Sequence, residues 1–471
     1  MSILLTLFTG CAGWRGLRDT EVAFEPEEYT YSDVSSGSDL AMDSPWWETF
    51  DDEILDSLMI LAFNENPTLE QMALRLRQSD ALFRQAKSYL IPGLTLSGSA
   101  SERGYLEEPL FVNPQQQISE QPSYGLSLGT SYEIDLWGKV KSGYSAAKMD
   151  YLAGQEDMKA MVLTTSGLIA RTYFSVIEIR QQVDLLRKSV EAYQNSYNLV
   201  LDRYKRGIVR SLDVYQAKTA LAGSKAQLAK METTLVEIEN GFAVLLGLYP
   251  QVGVVPADAE ITGLDESYNA SPPSELVNNR PDVTSSLLRL SASDYRAAQA
   301  VASRLPSFSL SASIDKTGGE VGDLFDPEGM IWNAIGNITA PVFYGGRLKA
   351  EADRAEAAYE ESLSFYRQTL LNAYNEVEVA LINQKNTDIY YTNLSQQAES
   401  AKSTLRLQND YYLRGVSNYL AVTTAQTTYF NTMSSLISAK REKASSRITL
   451  ALALGGNWMQ DIIDNYVVEE D

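Results

Sequence analysis

Residues 307–315 read Ser-Phe-Ser-Leu-Ser-Ala-Ser-Ile-Asp, so Ser307, Ser309, Ser311 and Ser313 alternate with Phe308, Leu310, Ala312 and Ile314. A period of two over this length predicts a β-strand with one apolar face and one small polar face. The same alternation occurs at 94–100 and 124–135. In the latter, Tyr124, Leu126, Leu128, Tyr132 and Ile134 share one face, and Gly125, Ser127, Gly129, Ser131, Glu133 and Asp135 the other. A fourth strand is expected over roughly 331–342, with Trp332, Ala334, Ile338 and Val342 opposite Asn333, Asn337 and Thr339. Breakers fill the connections: Pro109, Pro114 and Pro122 in one, Gly318, Gly319, Gly322, Pro327 and Gly329 in the other.

Around these strands the pattern is helical. Helices over 67–90 and 281–304 run out just before Pro92 and Pro306, which cannot continue them. Residues 347–414 contain neither Gly nor Pro, and a helix of that length extends about 100 Å at 1.5 Å per residue. The counterpart at 139–206 has three glycines and no proline. Turns at Arg206-Gly207 and Arg414-Gly415 reverse the chain into a returning helix of about 35–40 residues. Val183, Leu186, Val190, Tyr193, Tyr197, Val200 and Tyr204 step by three and four. Val214, Ala217, Leu221, Ser224, Leu228, Met231, Leu235 and Ile238 do the same on the return. Such seams predict paired helices, giving two coiled-coil hairpins per chain.

The chain also repeats itself. SYLIPGLTLSGSA at 88–100 parallels SRLPSFSLSAS at 303–313, and DLWGKVKSG at 135–143 parallels VFYGGRLKA at 342–350. RYKRGIVRSLDVYQA at 203–217 parallels YYLRGVSNYLAVTTA at 411–425, and VLLGL at 244–248 parallels LALGG at 452–456. The expected divisions are a lipoprotein-like signal at 1–11, an acidic N-terminal and collar segment at 12–66 and a first repeat at 67–248. A Pro-rich linker and collar segment at 249–280, a second repeat at 281–456 and an acidic tail at 457–471 follow.

Charge narrows the function. The formal net charge is −22, which disfavours a nucleic-acid partner because phosphates call for Lys and Arg. Residues 12–66 hold fourteen Asp and Glu against Arg15 and Arg18, so the excess is local and does not imply a uniformly acidic channel. There is no His and one Cys, which excludes His-based triads, His metal sites and internal disulfides within one chain. No phosphate loop of the G-x-x-x-x-G-K-[ST] type occurs. No enzymatic activity, cofactor or metal is expected. No run approaches the ~20 apolar residues of a membrane helix, which argues against a helical membrane protein.

The strands have the length and alternation of bilayer-spanning β-strands, and Trp137, Phe343 and Tyr344 mark where strand meets helix, as in an interfacial girdle. A soluble sheet packed on helices competes, but it would more often expose Lys, Glu and Thr than serine. Four strands cannot close a membrane barrel, so several copies must complete one. Two copies give a filled eight-stranded barrel, three a twelve-stranded one with a lumen. The small inward Ser and Gly favour three.

Taken in order, PWWETFDDEILDSLMILAFNENPTLEQMALRL at 45–76, SYEIDLWGKV at 131–140, PPSELVNNRPDV at 272–283 and the duplicated Arg-Gly turns resemble the TolC-type outer-membrane efflux family. MSILLTLFTGC resembles a lipoprotein signal with its lipobox, pointing to the lipoprotein branch with Cys11 lipidated and Ala12 fitting an outer-membrane destination. Phe8 stands where Leu is usual and no Lys or Arg precedes it, leaving room for an upstream start.

The resemblance implies a mixed α and β fold. A homotrimer forms a twelve-stranded transmembrane β-barrel, four strands per chain, continued by a long periplasmic α-helical barrel of coiled-coil hairpins. It implies a passive efflux duct in the outer membrane of a Gram-negative bacterium, working with a periplasmic adaptor (membrane fusion protein) and an inner-membrane transporter of the RND type. A type I protein-secretion duct and a non-conducting structural lipoprotein are the rivals. By resemblance, the tips with Arg206, Gly207, Arg414 and Gly415 dock the adaptor. The family's gate motif aligns with NYLAVTTAQT, where Leu420 matches, Thr424 replaces the usual Asp and Thr427 replaces the Arg. Asp213 and Asp410 are the candidates for a substitute acid ring, against an ordinary role on a solvated surface.

Overall fold

The computed structural model describes residues 29–31, 38–39, 44–105, 119–264, 268–269 and 279–467. Cys11, the signal segment and much of the acidic N-terminal segment lie outside the described residues. So do parts of the 249–280 linker and of the C-terminal tail. Two compact units are present: residues 77–154 with 286–366 form one, and the other described residues form the second.

Helix α1 (Glu53–Glu65) is followed by α2 (Pro67–Ser88, 22 residues). Next come β2 (Gly93–Tyr105), β3 (Ser119–Ile134), α3 (Lys139–Lys205, 67 residues) and α4 (Ser211–Leu245, 35 residues). The order then recurs: α5 (Pro281–Ala302, 22 residues), β5 (Ser307–Gly318), β6 (Ile331–Thr339), α6 (Arg347–Leu413, 67 residues) and α7 (Tyr419–Leu454, 36 residues). Helix α8 (Met459–Val467) closes the described chain, and the two-residue strands β1 (Ser38–Asp39) and β4 (Tyr268–Asn269) pair in parallel.

In the first unit, β2, β3, β5 and β6 form one antiparallel sheet in that order. Among the described residues, β2 and β6 have no strand on their outer edges. The fourth strand stops at Thr339, so Val342 lies beyond it rather than on its face.

In the second unit, Trp46, Trp47 and Phe50 form an aromatic centre, with Trp47 edge-on to Trp458 at 4.8 Å and Phe50 against Phe174 at 4.9 Å. Asp52 caps α1 through the N–H groups of Ile54 and Leu55 and accepts the Tyr173 hydroxyl at 2.8 Å. Two matched locks hold the helix ends. Asn66 donates Nδ2–H to the Leu245 carbonyl at 2.7 Å, and Arg280 donates Nη1–H to the Ala453 carbonyl at 3.0 Å. Beside them Gly247 and Gly455, each at φ +80°, press on the carbonyls of Glu65 and Asn279, where any Cβ would collide. Arg280 also pairs with Asp282 at 2.8 Å and Glu376 at 2.7 Å, which compensates its burial.

The packing corrects two expectations. The seam of α3 near its end buries Leu185 and Ser189 and leaves Leu186 and Val190 half-buried. This face serves more than one neighbour: Ser189 hydrogen-bonds Ser224 of α4 at 3.1 Å, while Gln182 donates to the Ser434 carbonyl of α7 at 2.9 Å. A helix with two partners buries a wider stripe than a simple heptad seam. In addition, α3 does contain a window long and apolar enough by length and composition to cross a membrane, with mean hydropathy 1.3. Of that window 61% is buried within the chain, the behaviour of a core helix.

Candidate functional site: an uncovered sheet and a pair of helix turns

Directly opposed residues in an antiparallel sheet share a face, so the register defines both surfaces of the first unit. Leu96, Leu128, Ile314 and Trp332 stand in one row across all four strands, and Ile134, Phe308 and Ile338 in another. This apolar face is open: Leu96 is 67% exposed, Trp332 76% and Ile338 70%. An uncovered apolar face of this size marks an interaction with lipid or protein.

The opposite face is small and polar. Thr95, Gly129, Ser313 and Asn333 form one row, and Asp315 accepts hydrogen bonds from Ser127 at 2.5 Å, Ser313 at 2.6 Å and Asn333 at 3.1 Å. Two isoleucines, Ile331 and Ile335, also stand on this face, which the serine pattern of β5 does not foretell. Lys316 falls on the apolar face opposite Leu126, at the loop end of β5, where its ammonium turns to the Glu328 carbonyl.

The second unit carries both hairpin turns. After α3, Gly207 sits at φ +73°, the Ile208 N–H donates to the Arg203 carbonyl and the Gly207 N–H to the Tyr204 carbonyl, both at 2.9 Å. After α6, Gly415 sits at φ +77°, with Val416 N–H on the Tyr411 carbonyl at 2.9 Å and Gly415 N–H on the Tyr412 carbonyl at 3.1 Å. Each is a Schellman ending, for which a left-handed glycine is the ordinary solution. Arg206 pairs with Asp202 at 2.9 Å and Arg414 with Asp410 at 3.1 Å, four residues back on the same helix in each case.

The two turns meet in one core. Val200 and Ala217 from the first hairpin pack with Tyr412, Tyr419 and Val422 from the second. Tyr412 and Tyr419 are edge-on at 5.8 Å. The Arg203 guanidinium lies 4.6 Å over the Tyr412 ring and donates to the Tyr412 carbonyl at 2.9 Å. Burial raises the pKa of both tyrosines above the ordinary value. Arg203, Tyr412 and Tyr419 are the residues that sequence reasoning missed. Their signal was slight: Tyr419 simply precedes Leu420 in NYLAVTTAQT.

Leu420 and Thr424 share one face of α7, as residues four apart must. With Ala401, Thr404 and Gln408 of α6 they line a 460 Å³ cavity. No side chain lining it is charged. Asp410 is engaged by Arg414, and Asp213 is half-buried in the first turn of α4; neither lines this cavity. Leu420 and Thr424 are thus brought together, and the two acids lie apart from them. Among the described residues no cluster of acidic or thiol groups could hold a metal.

The family described as "Outer membrane efflux protein" matches this chain over residues 58–248 and 273–456. The chain belongs to that family. It is therefore an outer-membrane efflux component, of a family of channels rather than enzymes. The pyoverdine export outer membrane protein OpmQ of Pseudomonas aeruginosa is 28% identical over 439 residues, covering 93% of this chain and 92% of that one. The probable outer membrane lipoprotein SilC of Salmonella typhimurium is 26% identical over 459 residues, covering 96% and 97%. Among solved structures, the outer membrane channel MtrE of Neisseria gonorrhoeae, in its open state, superposes with a TM-score of 0.82 at 25% identity, covering 94% and 98%.

Proposed function

We propose that three copies of this efflux protein close one twelve-stranded barrel, continued by their helical hairpins into a single conduit. This conduit is the passive exit duct of a tripartite pump. The observation that carries this reading is the four-stranded sheet with two free edges and an uncovered apolar face. In lipid each unpaired backbone group costs several kcal/mol, so the edges must be paired by further copies. Ser and Gly on the opposite face leave space for a lumen, which eight strands would not.

The twice-occurring order of a 22-residue helix, two strands, a 67-residue helix and a 35- or 36-residue helix supports a duplicated chain, as do the matched locks at Gly247 and Gly455. Three chains with two turns each present six tips, at Arg206-Gly207 and Arg414-Gly415, to a periplasmic adaptor. An inner-membrane transporter of the RND type supplies the energy. Leu420 from three copies forms an apolar constriction that resists hydration and ions, with Thr424 behind it and no acid ring.

Cys11 carries a lipid in this reading, an auxiliary anchor supported by the lipobox-like TGC and by the description of SilC as a lipoprotein. Native mass spectrometry of protein extracted from outer membranes tests the assembly, with three chains expected. Planar-bilayer recording tests the duct, with stepwise conductance expected. A monomer, or a trimer that never conducts, overturns the proposal. A mature N-terminus other than lipidated Cys11 overturns the anchor alone.

A further inference from the structure

The most exposed large apolar side chains of the first unit lie just past the end of β6: Val342 is 93% exposed and Phe343 85%. Their neighbour Tyr344 is held on its own chain, with the Arg347 guanidinium 5.3 Å over its ring. Val342 and Phe343 thus form a short apolar knob that the described residues leave almost uncovered. At the base of the opposite free edge, below the start of β2, lies a 760 Å³ cavity. Tyr89, Ile91 and Pro92 line it from the α2–β2 connection, and Val140 and Tyr144 from the start of α3. Tyr89 and Ile91 are 65% and 66% exposed.

Strand direction links the two features. β2 leaves the helices at Gly93, and β6 returns to them at Thr339. If the free edge of β6 pairs antiparallel with the free edge of β2 in the next copy, Thr339 falls near the Gly93 end. β6 has 9 residues and β2 has 13. Keeping all of β6 within β2 sets Thr339 opposite a residue between Gly93 and Ser97, so Val342 and Phe343, three and four residues further on at about 3.4 Å each, reach the level of Gly93 or pass just below it. That is where the cavity opens.

We infer that Val342 and Phe343 of each copy insert into the Tyr89–Ile91–Tyr144 cavity of the neighbouring copy, locking the barrel closed at its helical end. The inference rests on the trimeric reading above and deepens it. It also assigns Phe343 to protein rather than to a lipid-facing aromatic girdle.

The test uses the protein in outer membranes with Cys11 kept, since in this reading its sulfur carries lipid and is no longer a thiol. Phe343→Cys and Ile91→Cys are combined, oxidised, and run on denaturing gels. Covalent dimers and trimers are expected from the double variant, and covalent dimers only from trimers co-assembled from the two single variants, but neither from one single variant alone. Native mass spectrometry of the unoxidised double variant reports the assembly independently. An intact trimer without cross-links overturns the inference and leaves the trimer standing. Labelling of the Phe343→Cys thiol by a lipid-phase maleimide in an intact trimer does the same, placing the side chain in the membrane. Monomers alone overturn the trimeric reading itself.

Discussion

The two hairpin turns share a backbone and divide the labour of their side chains. Both end a 67-residue helix in a Schellman motif with glycine at φ +73° or +77°. Counted from the glycines, Tyr204 matches Tyr412, Ser211 matches Tyr419 and Leu212 matches Leu420. Tyr412 is 5% exposed and Tyr419 2%, whereas Tyr204 is 46% exposed and Ser211 lies on the surface. The second turn sends its aromatics into the common core, and the first answers with Val200, Ala217 and the Arg203 lid. Capping differs too: Asn418 accepts the Ala421 N–H at 3.0 Å, while Arg210 offers no side-chain cap. The two turns thus agree where the backbone requires it and differ where packing can redistribute.

Conductance is expected to separate the turns most sharply. Leu212 and Leu420 are 59% and 57% exposed, nearly alike, but Leu420 lines the uncharged cavity with Thr424. Leu420→Ser is expected to raise closed-state conductance in planar bilayers several-fold, because an apolar constriction excludes water. Leu212→Ser and Thr424→Ala are expected to leave it near the parent value. An effect of Thr424→Ala without one of Leu420→Ser would reverse the assignment.

Packing comes next. Tyr419→Ala empties a fully buried site and is expected to cost about 3 kcal/mol, read as faster hydrogen exchange of amides around both turns. Ser211→Ala at the matched position should barely register. Equal losses would mean that the core is fed symmetrically after all.

The backbone effect should be equal and smaller. Gly207→Ala and Gly415→Ala each force a side chain into the left-handed region, at roughly 1–2 kcal/mol. A difference between them larger than that cost would show that the turns do not share their strain.

The smallest stability effect is reserved for the tip charges. The pairs of Arg206 with Asp202 and Arg414 with Asp410 are exposed, so Arg206→Glu and Arg414→Glu should each change stability by no more than about 0.5 kcal/mol. In vivo cross-linking to the adaptor should nonetheless fall. Unchanged cross-linking with both reversed would count against docking at these tips.

Much of the fold was readable along the chain because its signals are local. The gap in Gly and Pro over 347–414 became a helix at Arg347–Leu413, and the serine alternation became β5 at Ser307–Gly318. Turn glycines were legible as well, since a left-handed ending needs glycine wherever it occurs. The misses share a cause. Leu185 and Ser189 displaced Leu186 and Val190 at the α3 seam because that helix has two partners, and heptad counting assumes one. The long apolar window of α3 does not stand out along the chain because Arg171 and small polar residues interrupt it, and its burial comes from residues far away in sequence, such as Trp46 on Ser166 and Phe50 on Phe174.

Periodicity and punctuation, which act within one turn or one pleat, determined from the sequence alone where the long helices and the four strands of the sheet run and, Ile331 and Ile335 apart, which strand faces are apolar. Only the tertiary structure decided which tyrosines enter the core between the two turns and that Arg203 covers Tyr412. The reason is that these contacts join residues some 200 positions apart, as Arg203 and Tyr412 are. Partners so distant are chosen by how two hairpins pack, and neither segment carries that information by itself.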